Sequence, residues 1–501
     1  MTVTTLLQRA LPDVPSSAAL GVAASATECT GVAYDSRAVQ PGQIFVALRG
    51  QRADGTVFAA QAIDHGAAAV VAEALPSAPV NVPWIVVADG RLALARLAAE
   101  FYGHPSHGMR VVGVTGTNGK TTTAYLLAAI FEAAGVRCGL MGTVEYRAGA
   151  TVIPATRTTP ESPDVQSYLR RMADAGCGAC AMEVSSHALV LRRVDGIRFA
   201  AGVFTNLTRD HLDFHGGMED YFAAKRRLFE MLPPEAPALI NLDDPRGASL
   251  LDVAERPVTY AIGQAADVTP GPLAFSLAGL SFDVRCAQGL VRVRSRLVGK
   301  PNVYNILGAV GVAAELGVPL DAIEQGLESL SGVPGRFEVV SSPDDGVTVV
   351  VDYAHTDDAL RNLLETARPM ARRLITVFGA GGDRDRTKRP LMGMVAARLS
   401  DVVVVTSDNP RSEEPARIIE EVMRGAEPEI RQRGIKVLTE TDRGDAIRMA
   451  IREAADGDLV LIAGKGHEKT QEIGGVSYPF DDIAMSRAAL ADRRVSRKRA
   501  G

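Results

Sequence analysis

The residues best suited to chemistry lie in the run G-V-T-G-T-N-G-K-T-T-T, from Gly113 to Thr123. Its glycines, Gly116 and Gly119, let backbone N–H groups face an anion, and Lys120 adds a mobile positive charge. The hydroxyl of Thr121 can complete the shell of a magnesium ion. The expected ligands are therefore ATP and Mg2+, with the triphosphate held by Gly116, Thr117, Asn118, Gly119, Lys120, Thr121 and Thr122. The loop departs from the usual G-x-x-x-x-G-K-[ST], because Val114 stands where the first glycine belongs. The bland alternative is a glycine-rich turn with an exposed lysine. The flanks argue against it: the β-branched run Arg110-Val111-Val112 precedes the loop and an apolar helical pattern, Tyr125 to Phe131, follows.

Chemically capable residues recur in the same local setting. Ala181-Met182 runs into Glu183-Val184-Ser185-Ser186-His187, and Val203-Phe204 into Thr205-Asn206-Leu207-Thr208-Arg209-Asp210-His211. Val349-Val351 runs into Asp352-Tyr353-Ala354-His355, and Val377-Phe378 into Gly379 through Arg384. Val404-Val405 leads to Asp408-Asn409-Pro410-Arg411, and Leu461-Ile462 to Gly464-Lys465-Gly466-His467-Glu468. In parallel sheets the ligand crevice lies beyond the carboxyl ends of strands, so these segments are expected to converge on two facing sites. Glu183 and His211 are candidate metal ligands; magnesium's preference for oxygen favours the glutamate. Lys225-Arg226-Arg227 lies on a helical pattern and reads either as a solvated face or as a phosphate-contacting one.

The elements that must position these residues read as an α/β chain of three domains. The expected units are residues 1–103, 104–334 and 335–501, within a chain of 501. Strands are expected at Ile44–Ala47, Ala69–Val71 and Trp84–Val87 in the first, and at Val347–Val351, Leu374–Phe378, Val402–Thr406 and Leu459–Ile462 in the third. Gly103 to Gly108 reads as a linker, Pro334-Gly335 as the second boundary, and Val268 to Lys300 as an antiparallel annex to a mostly parallel central sheet. The net charge of -5 argues against a nucleic-acid binder that works by bulk attraction. Arg493-Arg494 with Arg497-Lys498-Arg499 reads as a solvated tail. Five cysteines fit a reduced compartment, and Cys177 with Cys180 read as buried thiols. No signal peptide and no bilayer-length apolar run is evident, so a cytoplasmic protein without membrane insertion is expected.

Several motifs agree in order and spacing with one family. They are T-G-T-N-G-K-T-T from Thr115, E-V-S-S-H from Glu183, T-N-L-T-R-D-H-L-D-F-H-G from Thr205 and G-R-F-E from Gly335. D-Y-A-H from Asp352, G-G-D-R-D-R from Gly381, D-N-P-R from Asp408 and G-K-G-H-E from Gly464 complete the set. Over nearly its whole length the chain resembles the Mur ligases, ATP-dependent amide-forming enzymes of peptidoglycan precursor synthesis. The last two motifs resemble the branch that adds the third residue of the stem peptide. The resemblance implies a small N-terminal α/β domain for the UDP end of the substrate, a central P-loop ATPase-like domain and a C-terminal Rossmann-like domain for the amino acid. It implies that Lys120 holds the β- and γ-phosphates, and that Asn302, Asn305, Arg336 and Asp352 are outer nucleotide contacts. Thr121, Glu183, His211 and Lys225, the last as a carbamate, would support magnesium. An ammonium would repel the metal, whereas a carbamate offers oxygens.

Tyr34, Ser36, Gln51, Arg52 and Ala53 resemble the uridine contacts, and Thr158, Thr159, Ser185, Leu191 and Arg193 fall where the muramoyl-dipeptide is gripped. Leu191 replaces a frequent glutamine, and Asp357 stands where the family usually has proline, which puts the local turn in doubt. The branch implies meso-diaminopimelate as the incoming amino acid, at Arg389, Asp408, Asn409, Pro410, Arg411, Gly464 and Glu468. Arg411 offers a planar fork for the distal carboxylate, Ser412 a cap for the following helix, and Glu468 a partner for the distal ammonium. The implied reaction passes the γ-phosphoryl group to the D-glutamyl carboxylate of UDP-N-acetylmuramoyl-L-alanyl-D-glutamate, and the amine then displaces phosphate. His355 is a candidate for assisting proton removal or a structural partner. A monomer is expected, closing about Pro334-Gly335. The alternatives are the same ligation with lysine, a folylpolyglutamate-type ligase, an ATP-driven switch and a non-catalytic scaffold.

Overall fold

The structure, a computed structural model, describes residues 1–14, 19–20, 27–50 and 54–500. Gln51, Arg52 and Ala53 lie outside the described residues. Three α/β sheets follow one another along the chain. The first orders its strands Ala19–Leu20, Trp84–Val86, Ala69–Ala72, Gln43–Ala47, Gly31–Ala33, parallel except for the first pair.

The central sheet has eight strands, ordered Pro257–Tyr260, Ala238–Asn241, Ala201–Phe204, Arg110–Thr115, Ala179–Glu183, Cys138–Met141, Glu145–Ala148, Thr151–Pro154. The first six run parallel and the last two antiparallel. Strands buried on both faces need apolar side chains on both, which is why Ala201–Phe204 and Ala179–Glu183 read as near-continuous apolar runs. Arg110–Thr115 sits where the chain first winds one way across the sheet and later the other, so a crevice opens past its carboxyl end.

Residues 269–295 form a separate four-stranded antiparallel sheet. Between it and the central sheet lies the helix Lys300–Glu315, whose Val303, Ile306, Leu307, Val310 and Val312 are all wholly buried. Each such aliphatic contributes roughly 1.5–3 kcal/mol on burial, so this helix anchors the annex and fixes Asn302 and Asn305 at its first turns.

The third sheet is Glu338–Val339, Thr348–Asp352, Leu459–Ala463, Leu374–Phe378, Val402–Val405, Lys436–Thr439, with only the first pair antiparallel. One sequence expectation is corrected here. The basic run at residues 493–494 is no solvated tail: it lies in the helix Asp482–Ala500, where Arg493 donates to the carbonyls of Ile451 (3.0 Å) and Ala454 (2.6 Å). Arg494 pairs with Asp345 at 2.9 Å, so the charges are used to dock the helix. Within the segment joining the first two units, Pro105–Gly108 forms a 3-10 helix, and Ser106 accepts the backbone N–H of Arg198 at 3.1 Å. All five cysteines are buried and unpaired, Cys177 and Cys180 among them. No described helix is long and apolar enough to cross a membrane.

Candidate active site

The loop after Arg110–Thr115 leads straight into the helix Lys120–Ala133. Its glycines are a steric requirement. At φ +146 a Cβ on Gly116 would lie 1.8 Å from Thr205 Oγ1, and at φ +88 one on Gly119 would lie 2.3 Å from Asn305 Oδ1. The T-N-L-T segment straps the loop from outside. Thr205 donates to the Asn118 carbonyl at 2.6 Å, and Asn206 accepts the Asn118 N–H at 2.9 Å. Thr117 donates to the Thr208 carbonyl at 3.1 Å. Thr122 is buried beside it. Below the loop, Asn305 donates to Asn302 at 2.9 Å, and Asn302 to the Val298 carbonyl at 2.8 Å.

Two amines meet at one carbonyl oxygen. Lys120 Nζ donates to Gly116 (2.9 Å) and Thr117 (2.8 Å), and Lys225 Nζ donates to the same Gly116 oxygen at 2.7 Å. Lys225 is 1% exposed and stands over the Tyr221 ring at 4.3 Å, so it is not part of a solvated face. Its neighbours Arg226 and Arg227 pair instead with Glu230 and Asp195. Burial pushes the Lys225 ammonium well below the usual lysine range, and the Lys120 charge pushes it further. Burial likewise lowers Lys120. Both effects favour a neutral amine at Lys225.

Glu183, at the end of its strand, is 1% exposed, and its carboxylate accepts the N–H (2.8 Å) and hydroxyl (3.0 Å) of Thr143. Sequence reasoning missed Thr143, and it named Thr205 and Asn206 only as members of the T-N-L-T motif, since nothing in the letters announces a brace. His211 adopts φ +54, and its ring lies 3.3 Å from Asp210. Burial holds that imidazole low and neutral, against the pull of Asp210. Among the described residues no group of three or more His, Cys, Asp or Glu is placed to hold a metal. Any metal here must draw on hydroxyl and other oxygens as well.

The C-terminal domain reaches this loop directly. Arg336 donates to Thr121 Oγ1 at 3.1 Å while its guanidinium lies 4.5 Å over the Tyr353 ring. Asp352 accepts the N–H groups of Phe337 (2.7 Å) and Ala354 (2.8 Å). His355 Nδ1 lies 2.9 Å from the Tyr353 carbonyl, which places its proton there and leaves Nε2 with a lone pair. Burial keeps it neutral. Asn118 donates to Asp358 at 3.2 Å, and Arg209 to Asp357 (3.1 Å) and Thr387 (3.2 Å). The doubt raised by the absent proline disappears: Thr356 caps the helix Asp357–Ala367, and Asp357 in its first turn suits the helix dipole. The Arg209–Asp357 pair is part-exposed and contributes roughly 0.2–1 kcal/mol. Arg209→Ala is therefore expected to raise the KM for ATP no more than about five-fold at low salt, and less at high salt, measured by steady-state kinetics.

On the other flank, residues from the first two sheets meet. Tyr34 donates to Asp164 at 2.8 Å, and Ser36 to Gln61 at 2.8 Å. Thr159 donates to the Glu183 carbonyl (2.8 Å) and lies 3.3 Å from Ser185, which caps the helix Ser186–Val190. Arg193 donates to the Thr159 carbonyl at 3.0 Å and pairs with Glu161 at 2.8 Å. Thr158 meets Thr143 at 3.0 Å, and Leu191 ends that short helix.

The D-N-P-R and G-K-G-H-E segments lie against each other. Asn409 donates to Glu468 at 3.0 Å and accepts from Lys465 Nζ at 2.9 Å; Lys465 also pairs with Glu468 at 2.8 Å. Pro410 joins them, its carbonyl 1.9 Å from where a Cβ on Gly382 would stand. A Cβ on Gly464 would lie 2.5 Å from Asp408 Oδ2, a buried oxygen with no hydrogen-bond partner among the described residues. Arg411 holds φ +52, its N–H donating to the Glu472 carbonyl (3.0 Å) and its carbonyl accepting from Gly474 (2.7 Å). Its guanidinium donates to the Gly382 carbonyl at 2.7 Å, lies 3.3 Å from the Glu472 carboxylate, and is 22% exposed rather than turned out to solvent. Arg389 is fully buried, and its terminal nitrogens go to Glu413, Glu421 and the Gly381 carbonyl, so it braces this region from within. Ser412 caps no helix: its hydroxyl donates to Asp383 at 2.7 Å, and the helix starts at Pro415 after Glu414. The intervening glutamates and Pro415, a favoured first helical residue, delay the start.

Comparison with known proteins follows the same division. Residues 28–102 match the model "Mur ligase family, catalytic domain", residues 114–313 the "Mur ligase middle domain", and residues 335–466 the "Mur ligase, glutamate ligase domain". A relative from Geobacter metallireducens is 48% identical over 499 residues, covering 95% of this chain and 96% of its own. One from Solibacter usitatus is 48% identical over 468 residues, covering 93% and 94%. Both are named UDP-N-acetylmuramoyl-L-alanyl-D-glutamate–2,6-diaminopimelate ligase. A solved structure of a ligase with that name is 36% identical with a TM-score of 0.69, covering 99% of this chain and 100% of its own.

Proposed function

The chain belongs to the Mur ligase family, and from that premise we propose that it joins meso-diaminopimelate to UDP-N-acetylmuramoyl-L-alanyl-D-glutamate at the expense of ATP. The observation that carries the reading is the bond from Arg336 to Thr121, which ties the C-terminal domain to the phosphate loop and supports a shared site for nucleotide and amino acid. We assign the UDP end to residues 1–103, ATP to 104–334 and the amino acid to 335–501. A single chain carries every residue in the scheme. Five unpaired thiols suit reaction in the cytoplasm.

The γ-phosphoryl group passes to the D-glutamyl carboxylate, forming an acyl phosphate. The diaminopimelate amine then attacks that carbonyl carbon, phosphate departs with the bonding electrons, and the amine loses a proton. Lys120, swung from its own loop carbonyls onto the phosphates, balances their charge, and Asn302, Asn305, Arg336 and Asp352 frame the nucleotide. His355, whose Nδ1 faces the Tyr353 carbonyl, would accept the amine proton at Nε2. Tyr34, Ser36, Thr158, Thr159, Ser185 and Arg193 orient the acceptor, so catalysis is largely alignment and electrostatics. Thr121 and Glu183 fit a hard cation through oxygen, with His211 beside them, and Lys225 joins them as a carbamate. Its neutral amine adds to carbon dioxide with loss of one proton. Magnesium bound there supplies charge neutralisation at the phosphates.

The test is ADP release with product mass analysis. A ligase releases ADP only with both UDP-dipeptide and amine present, and yields the tripeptide. Rapid ATP hydrolysis without either would favour an ATP-driven switch. Turnover of a folate substrate without the UDP-dipeptide would favour the folylpolyglutamate-type reading.

A further inference from the structure

We propose that Arg443 and Asp482 are positioning residues for the incoming amino acid, their buried pair setting the spacing between the two loops that read it. The inference rests on the reading above and adds residues that belong to neither loop. Arg443 opens the helix Arg443–Glu453 and Asp482 the helix Asp482–Ala500, and both side chains are 0% exposed. The pair is bidentate, Nε to Oδ1 at 2.7 Å and a terminal nitrogen to Oδ2 at 2.7 Å.

What sets it apart is where the remaining donors go. Arg443 donates to the Ser407 carbonyl at 3.1 Å and to the Ala463 carbonyl at 3.0 Å. Those residues immediately precede Asp408 and Gly464, the first residues of the two loops. The strands that deliver the loops, Val402–Val405 and Leu459–Ala463, are not neighbours, because Leu374–Phe378 lies between them. No ladder bond between those two strands sets one loop base against the other; Asn409 meets Lys465 and Glu468 above, and Arg443 spans the gap from beneath. Asp482 fixes the plane of the fork that does so.

Stability alone gives little reason for this arrangement. A buried ion pair pays a desolvation penalty, and apolar residues of like volume often replace one without loss. Apolar residues cannot, however, donate to two carbonyls at fixed separation. The loops touch, since a Cβ on Gly464 would fall 2.5 Å from Asp408 Oδ2, so a small slip at either base carries to the ligand-facing atoms.

The test uses the full chain with Arg443→Lys and with the double variant Arg443→Met/Asp482→Leu. Steady-state KM is measured for meso-diaminopimelate, ATP and UDP-dipeptide, with cooperative thermal unfolding as the check on folding. The double variant is expected to raise the KM for diaminopimelate roughly ten-fold, leaving the other two within about two-fold. Arg443→Lys keeps the charge but not the fork, and is expected to shift the same constant alone by roughly three-fold or more. Equal rises in all three constants, or no change for diaminopimelate, would overturn the proposal. Should the double variant not fold, Arg443→Lys decides by the same criterion. Failure of the unaltered enzyme to turn over diaminopimelate would instead sink the functional reading.

Discussion

Lys225→Ala is expected to abolish ligation, with kcat falling roughly a thousand-fold or more while the protein stays folded. The expectation follows from where the amine sits. It is buried against the Gly116 carbonyl that Lys120 also uses, and both burial and the second charge drive it toward the neutral form. A neutral buried amine is the reactive species toward carbon dioxide, and a carbamate formed there would turn a neutral side chain in the phosphate site into an anion. Lys225→Arg is expected to fail as badly, because a guanidinium keeps its charge. Short-chain carboxylic acids, small enough to enter the space left by Lys225→Ala, are expected to restore part of the rate. The measurement is ADP release with and without added acid. Activity within ten-fold of the unaltered enzyme would remove Lys225 from the chemistry.

Arg411→Ala is expected to raise the KM for meso-diaminopimelate by roughly 30-fold to several hundred-fold, leaving that for ATP within about two-fold. The split follows from the two ways Arg411 is held. Its left-handed backbone is pinned by the Glu472 carbonyl and the Gly474 N–H, bonds that alanine keeps. Truncation therefore removes the fork, with its bonds to the Gly382 carbonyl and the Glu472 carboxylate, and leaves the backbone in place. Arg411→Lys is expected to recover only part of the loss, since one ammonium cannot grip a carboxylate with two parallel bonds. Parallel kinetics in both substrates test this, and equal rises in both constants would count against the assignment.

The phosphate loop was legible in the sequence because its chemistry dictates its spelling: glycines where Thr205 and Asn305 press close, and a lysine opening the helix. The strand ends were legible too, since doubly buried strands are apolar and stop abruptly where the chain turns polar. The three-domain α/β architecture agrees with that of the solved relative. What composition hides is partnership. Nothing in Lys225-Arg226-Arg227 tells which of three neighbouring cations turns inward; helix phase against Tyr221 and Gly116 decides it. Ser412 looked like a cap because capping residues also close turns, and here its hydroxyl serves Asp383. The basic end looked solvated because the carbonyls of Ile451 and Ala454 that hold Arg493 are invisible in a string of letters. Arg389 matched a ligand contact by position, and its terminal nitrogens also reach Glu413 and Glu421, 24 and 32 residues away in sequence, partners that no local pattern announces.

The central claim is that a carboxylate-reading arginine faces a triphosphate loop across one cleft, so that an amino acid is chosen by its distal carboxylate. The direct measurement is kcat/KM for meso-diaminopimelate and for L-lysine with the same UDP-dipeptide and ATP. A preference for diaminopimelate of roughly a hundred-fold or more is expected, the worth of a bidentate charged contact left unmade by lysine. Equal use of the two amines, or a preference for lysine, would contradict the account.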